Sequence, residues 1–351
     1  MTSLERTLTV ITGGIPDQVP VALHNFLMAA RMAGIPLSEC LQSGDRMAES
    51  HLVAWRRFQH DMILVENGTT AVAQAFGCAV AYQAHAAPRV IEPVLKDLSC
   101  VDELRIPDPE KDFPLTEVLK AVRILRGELG DTVFIMGRAD QAPMALAGAI
   151  RGHEQFLLDL GECENPAIID RVLDVCVEAT IQYALALQQA GAHGTSVGEF
   201  GSDVISPTMY RRYALPHLKK FFAAMREANF PAALHQCGNS SSVLAEMVAS
   251  GANILELDVH TDPPTAKQAT RGKAVVLGMV DPANVMHRGT PELVREDSRY
   301  ALDVLAPKGG FIIGPGCALM PETPEENVLA LLETARRYGR YRSDGTLDQA
   351  P

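Results

Sequence analysis

The chain has 351 residues, 47% hydrophobic and 21% charged, the composition of a soluble globular protein with material for a large core. Forty-three acidic against 31 basic residues give a formal charge of −12 with no basic run, which argues against nucleic acid as a partner. No apolar run approaches the roughly 18 residues of a membrane span, the first ten residues are too mixed for a secretory segment, and seven dispersed cysteines argue for reduced thiols, so no membrane association and a cytoplasmic location are expected.

Eight short apolar runs punctuate the chain: Val19–Asn25, Met62–Asn67, Val133–Ala139, Gly194–Phe200, Ala232–Gly238, Ile254–Asp258, Val275–Asp281 and Gly310–Cys317. Between them lie segments with apolar residues at three- and four-residue spacing, such as Leu115–Leu129, Pro166–Ala190, Pro207–Ala228, Ser241–Ser250 and Pro291–Leu305. Strand then helix, eight times over, is the pattern of an α/β chain closed into a parallel (β/α)8 TIM barrel, expected here as one domain over residues 1–340. Ser206 and Thr290, each before a proline, read as helix N-caps, and Gly191 and Gly251 as helix ends. An extra segment precedes the first strand. The irregular stretch Ala79–Pro114, after the second, reads as an inserted hairpin or loop covering the barrel mouth. Residues 341–351 lack apolar anchors and are expected to be mobile.

The chemistry concentrates at the strand ends. On a strand, residues two apart share a face, so His235 and Cys237 in Ala232-Ala-Leu-His-Gln-Cys-Gly238 form a chelating pair with Gln236 turned away. Cys317, 80 positions further on, ends the eighth run, and a parallel barrel is the fold that brings those two ends together. One imidazole and two thiolates suit zinc, with a fourth position left for substrate, water or a weak ligand. The bland alternative is that each cysteine is a small buried hydrophobe; the glycine-flanked turns at both pieces favour the metal. The other strand ends supply His24, Asn25, Glu66, Asn67, Arg138, Asp140, Glu199, Asp258 and Asp281. Of these, His24, Asn25, Glu66 and Asn67 are the expected substrate contacts. Glu199 is the expected catalytic acid, as weak fourth ligand or base. Asp281, directly before Pro282, fits a helix cap at least as well as a ligand contact. No phosphate-loop, dinucleotide or nucleophile-elbow motif is present.

The stretches Asp61-Met-Ile-Leu-Val-Glu-Asn67, Ile205–Lys220, His235-Gln-Cys-Gly-Asn239, Gly278-Met-Val-Asp-Pro282 and Gly314–Asn327 together resemble the uroporphyrinogen decarboxylase superfamily, and within it the zinc-dependent corrinoid methyltransferase branch. The resemblance runs from about Pro16 to Arg340 and implies a TIM barrel in which His235, Cys237 and Cys317 hold zinc. It also implies methyl transfer between a corrinoid, as cobalamin or a corrinoid protein, and a small thiol, methoxy or methylthio compound. The decarboxylase branch has an arginine-rich N-terminal segment and a histidine at the position of Cys317; this chain has neither. Gly238, Asn239, Asp281 and Gly316 are then the expected corrinoid contacts, since glycines let backbone approach a large ring. A second copy of the chain, as a homodimer, is a candidate partner. Two rival readings are cofactor-free decarboxylation of a carboxylate-rich substrate and a non-catalytic ligand-binding barrel with a structural metal.

Overall fold

The computed structural model describes residues 1–163, 165–201 and 203–348. All eight apolar runs are strands: β1 Ala22–Leu23, β2 Met62–Val65, β3 Phe134–Gln141, β4 Gly194–Glu199, β5 Ala232–Gln236, β6 Ile254–Leu257, β7 Val275–Val280 and β8 Phe311–Pro315. They pair in parallel and in chain order, and a bridge between Val21 and Ile313 links the last strand to the first. The result is the expected TIM barrel. Being covered by helices outside and by side chains within, its strands are mostly apolar and are buried along nearly their whole length.

The interior is filled as a layered core. Ala22, Met62, Leu64, Phe134, Met136, Ala233, Ile254, Val275, Leu277 and Ile312 point inward, and Leu4 and Val10 of the helix Ser3–Ile11 join them from below. The extra N-terminal segment is therefore a plug for the bottom of the barrel, started by a capping box at Thr2. Arg6 ties it down through a 2.6 Å ion pair with buried Asp61.

Three details differ from the sequence expectation. The amphipathic stretch 207–228 is broken by a π turn at Tyr210–Ala214. Pro216, which has no N–H and whose ring crowds the carbonyl four residues back, follows directly and accounts for the wide turn. The Ser241–Ser250 helix is a 3-10 turn at Ser240–Ser242 and a short helix at Leu244–Ala249. The insertion, in line with its expectation, holds a hairpin of two antiparallel strands, Ala79–Ala81 and Arg89–Glu92, whose tip meets the loops after β1 and β2: Ala84 accepts from the Leu37 N–H at 3.1 Å, and Pro88 packs against Gly68. Finally, residues 341–348 are docked against the body. Tyr341 donates to the Ala306 carbonyl at 2.9 Å and pairs with Leu347, so these two side chains are the anchors the tail was expected to lack; residues 349–351 lie outside the described residues.

Candidate metal centre at the barrel mouth

The period of two along each strand sets the site. One step beyond the inward-facing Ala22, Leu64, Met136, Ala233 and Ile254 come His24, Glu66, Arg138, His235 and Glu256, each at most 5% exposed. An apolar barrel core thus ends in a buried layer of five ionisable groups. In the same layer β4 contributes Gly198, in register with His235. A Cβ on Gly198 would lie 2.5 Å from Nη2 of Arg138, so the missing side chain is what gives the guanidinium its room.

The five charges are mutually paired, as buried charges must be. Glu256 is at the centre: Oε1 is 3.0 Å from Nδ1 of His24, while Oε2 is 3.3 Å from Nδ1 of His235 and 3.6 Å from Nη1 of Arg138. Glu66 Oε2 closes the ring, 3.2 Å from Nε2 of His24 and 3.1 Å from Nε of Arg138. Burial alone would pull the His24 pKa down; the carboxylates of Glu66 and Glu256 outweigh it and hold it up at about 9. Burial alone would raise the Glu256 carboxyl, and the charges of His235 and His24 reverse that, holding it well below the usual carboxylate range.

Nδ1 of His235 faces Glu256, and its Nε2 faces two sulfurs. Cys237 Sγ lies 3.2 Å from that nitrogen and Cys317 Sγ 3.8 Å, with 3.9 Å between the sulfurs. Ligands around a tetrahedral zinc, at about 2.0–2.3 Å from the ion, stand about 3.5–3.8 Å from one another, so the three atoms need shifts of only about 0.3 Å or less to share one ion. Among the described residues these three are the His, Cys, Asp and Glu side chains that could share a metal, all three ligand atoms lying within 4.8 Å of one another.

Comparison with known proteins bears on this geometry. The family model for uroporphyrinogen decarboxylase (URO-D) matches residues 2–338. The chain belongs to the uroporphyrinogen decarboxylase family. It is 32% identical to the methylcobamide:CoM methyltransferase MtbA of Methanosarcina acetivorans over 77% of each chain. It is 31% identical to the uroporphyrinogen decarboxylase of Thermus thermophilus over 85% of each. A solved structure of a methyltransferase from Methanosarcina mazei superposes with a TM-score of 0.87, at 24% identity, over 96% of this chain and 98% of that one, which shows the shared fold.

Within this uroporphyrinogen decarboxylase family member the other expected site residues divide. His24 and Glu66 join the buried layer. Asn25 and Asn67 follow them by one residue, past the strand ends; Asn25 takes the N-cap position of the helix Phe26–Met32 without a side-chain cap. Both atoms of the Asn25 amide and Nδ2 of Asn67 are buried without a protein partner. Glu199 is not brought to the metal cluster. It stands in register with Gln236, out of phase with His235, and leaves β4 on the helix side. There Oε1 accepts from the Phe200 N–H at 2.8 Å, beside the first turn of the helix Pro143–Arg151. Burial raises its carboxyl to about 8, against the pull of the Phe200, Ala145 and Met144 N–H groups.

The expected corrinoid contacts have structural partners of their own. Asp281 caps the turn Pro282–His287, accepting from the N–H groups of Ala283 and Asn284 at 2.8 Å, as its cap reading anticipated. Asn239 caps Ser240–Ser242. Gly238, at φ +78°, gives its N–H to Asp258 at 3.0 Å. Gly316 sits where a Cβ would be 3.0 Å from the Leu257 carbonyl. Glu256 is the group that sequence reasoning missed. A charge inside the run Ile254-Leu-Glu-Leu257, in phase with an inward apolar residue, was the signal.

Proposed function

We propose that the chain is a zinc- and corrinoid-dependent methyltransferase that moves a methyl group between a corrinoid, free or protein-bound, and a small thiol, methoxy or methylthio compound. The observation that carries this reading is the His235, Cys237 and Cys317 set at the C-terminal ends of β5 and β8, where barrel enzymes do their chemistry. The likeness to the Methanosarcina methylcobamide:CoM methyltransferase supports it. So does the absence of an arginine-rich N-terminal segment of the kind a polycarboxylate substrate would need.

His235 Nε2, Cys237 Sγ and Cys317 Sγ would hold the zinc. Bound there, zinc supplies a Lewis acid that keeps a thiol ionised near neutral pH or polarises a methoxy or methylthio group. The chain's own residues set the terms. Two thiolates would balance the two charges of the ion, and Glu256, 3.3 Å from Nδ1 of His235, would hold the ring proton on that nitrogen and leave Nε2 to the metal. Glu256 is itself held by His24 and Arg138, and these by Glu66, so the imidazole is fixed by a ring of buried ion pairs on strand ends rather than by a loop. Three protein ligands leave one position for the small substrate, which is what separates a catalytic from a structural site.

The test is to load the purified chain with zinc, mix it with methylcobalamin and a panel of thiols, and then with the reduced corrinoid and methoxy or methylthio compounds. Spectral interconversion of methylated and demethylated cobalamin is expected in at least one direction; a protein that binds no zinc would refute the reading.

A further inference from the structure

At the end of the barrel away from the metal, where the strands begin, a cleft of about 280 Å³ opens between three segments. They are the end of the plug helix with its turn to Gly13, the turn from Thr270 into β7, and the turn Lys308–Gly310 before β8. Four cations line the cleft, Lys267, Arg271, Lys273 and Lys308, and no Asp or Glu does. In a chain with 43 acidic and 31 basic residues, that is the reverse of the overall balance. Lys267 is half-buried and donates to the carbonyls of Leu305 at 2.5 Å and Gly309 at 2.6 Å, which leaves the third ammonium proton without a protein acceptor. Burial and the charge of Arg271 pull its pKa down to about 8, and no carboxylate offsets them. Lys308 donates to the Asp344 carbonyl at 2.5 Å, while the Asp344 carboxylate is taken by the N–H and hydroxyl of Thr346 at 2.9 and 2.6 Å. The side chains of Arg271 and Lys273 are exposed and, among the described residues, make no hydrogen bond or ion pair.

Three helices, Ser3–Ile11, Pro263–Thr270 and Pro291–Leu305, end at this face, and cations beside helix C-termini relieve the carbonyl charge there. That accounts for Lys267, which holds the Leu305 carbonyl. It does not account for Arg271 and Lys273, whose side chains touch no carbonyl, or for the open space between the four charges. We infer that this cleft binds a small anion of the diphosphate class. A lone carboxylate is best met by the paired N–H fork of an arginine; three of the four cations here are lysines, point charges that suit the several oxygens of a phosphate. Gly13, Gly272 and Gly310, all at positive φ and with open space where a Cβ would stand, leave the walls clear for it. The site is at the opposite end of the barrel from His235, Cys237 and Cys317, so the inference does not rest on the methyltransferase reading.

Calorimetric titration of the zinc-loaded chain, freed of excess metal, with inorganic pyrophosphate and with ADP tests this. Pyrophosphate should bind, and more weakly as salt is raised, since three of the four cations are exposed. ADP binding about ten-fold or more tightly than pyrophosphate would mark a nucleotide as the source of the diphosphate; equal or weaker binding would mark the free anion. Arg271→Gln combined with Lys273→Gln removes two charges that hold nothing else, so the double variant should keep the wild-type melting midpoint without anion and bind pyrophosphate about ten-fold or more weakly, the scale of two partly screened charges. Cys317→Ala, which removes the zinc that pyrophosphate could itself chelate, should bind it as the wild-type chain does. No binding of either anion, binding unchanged in the double variant, or binding lost in Cys317→Ala overturns the inference and leaves the methyltransferase reading standing.

Discussion

Replacing Glu256 with Gln changes one oxygen to an amide nitrogen at almost constant volume. In the wild-type chain three donors converge on the two oxygens: Nδ1 of His24 at 3.0 Å, Nδ1 of His235 at 3.3 Å and Nη1 of Arg138 at 3.6 Å. Glutamine offers one acceptor and two N–H donors, so at least one imidazole N–H must face another donor. His24 and Arg138 would also be left with Glu66 as their sole counter-charge. Removing one partner from a buried, paired network costs about 3–5 kcal/mol, and freeing a ligating imidazole from its carboxylate typically weakens metal affinity about 10–100-fold. Glu256→Gln should therefore both lower the thermal midpoint and weaken zinc binding, measured by competition with a chelator of known affinity. A lowered midpoint with zinc affinity within two-fold of wild type would show that Glu256 only stabilises the barrel, and the positioning argument would be wrong.

Two further outcomes follow from the same geometry. Cys317→Ala should abolish stoichiometric zinc while leaving the barrel folded, because the sulfur lies at a strand end rather than in the packed core; circular dichroism and metal content report the two halves. Glu199→Gln should keep zinc and hold turnover within about three-fold, far from the 10²-fold scale of a lost acid or base. Its carboxyl is raised to about 8 from an ordinary 4.5, so its contribution to stability is full below about 4.5 and is lost as pH rises through about 8. Between those limits wild-type stability should fall relative to Glu199→Gln, which does not titrate; parallel melting curves across that window would exclude the buried-acid account.

Much of this was legible in the sequence because barrel strands advertise themselves twice, by apolar content and by alternation. His235 and Cys237 share a phase, and Cys317 needed only the closure of the barrel to join them. The same alternation, carried across every strand, separates inward His24, Glu66, Arg138 and Glu256 from outward Glu199. Reading strand ends as a class, without tracking phase from the core, merged the two sets. Glu256 was hidden for a related reason: it is two residues short of the run's polar end, where Asp258 drew the eye. The docking of residues 341–348 depends on two side chains finding a surface made by residues more than 30 positions away, a long-range contact that local composition does not reveal.

The central claim is methyl exchange at the His235, Cys237 and Cys317 centre. The zinc-loaded wild-type chain, mixed under anaerobic conditions with methylcobalamin and 2-mercaptoethanol or cysteamine, should convert the methylcobalamin spectrum to that of the demethylated corrinoid, and Cys317→Ala should not. An unchanged spectrum with every thiol, methoxy and methylthio compound, together with decarboxylation of a porphyrinogen by the same preparation, would contradict it.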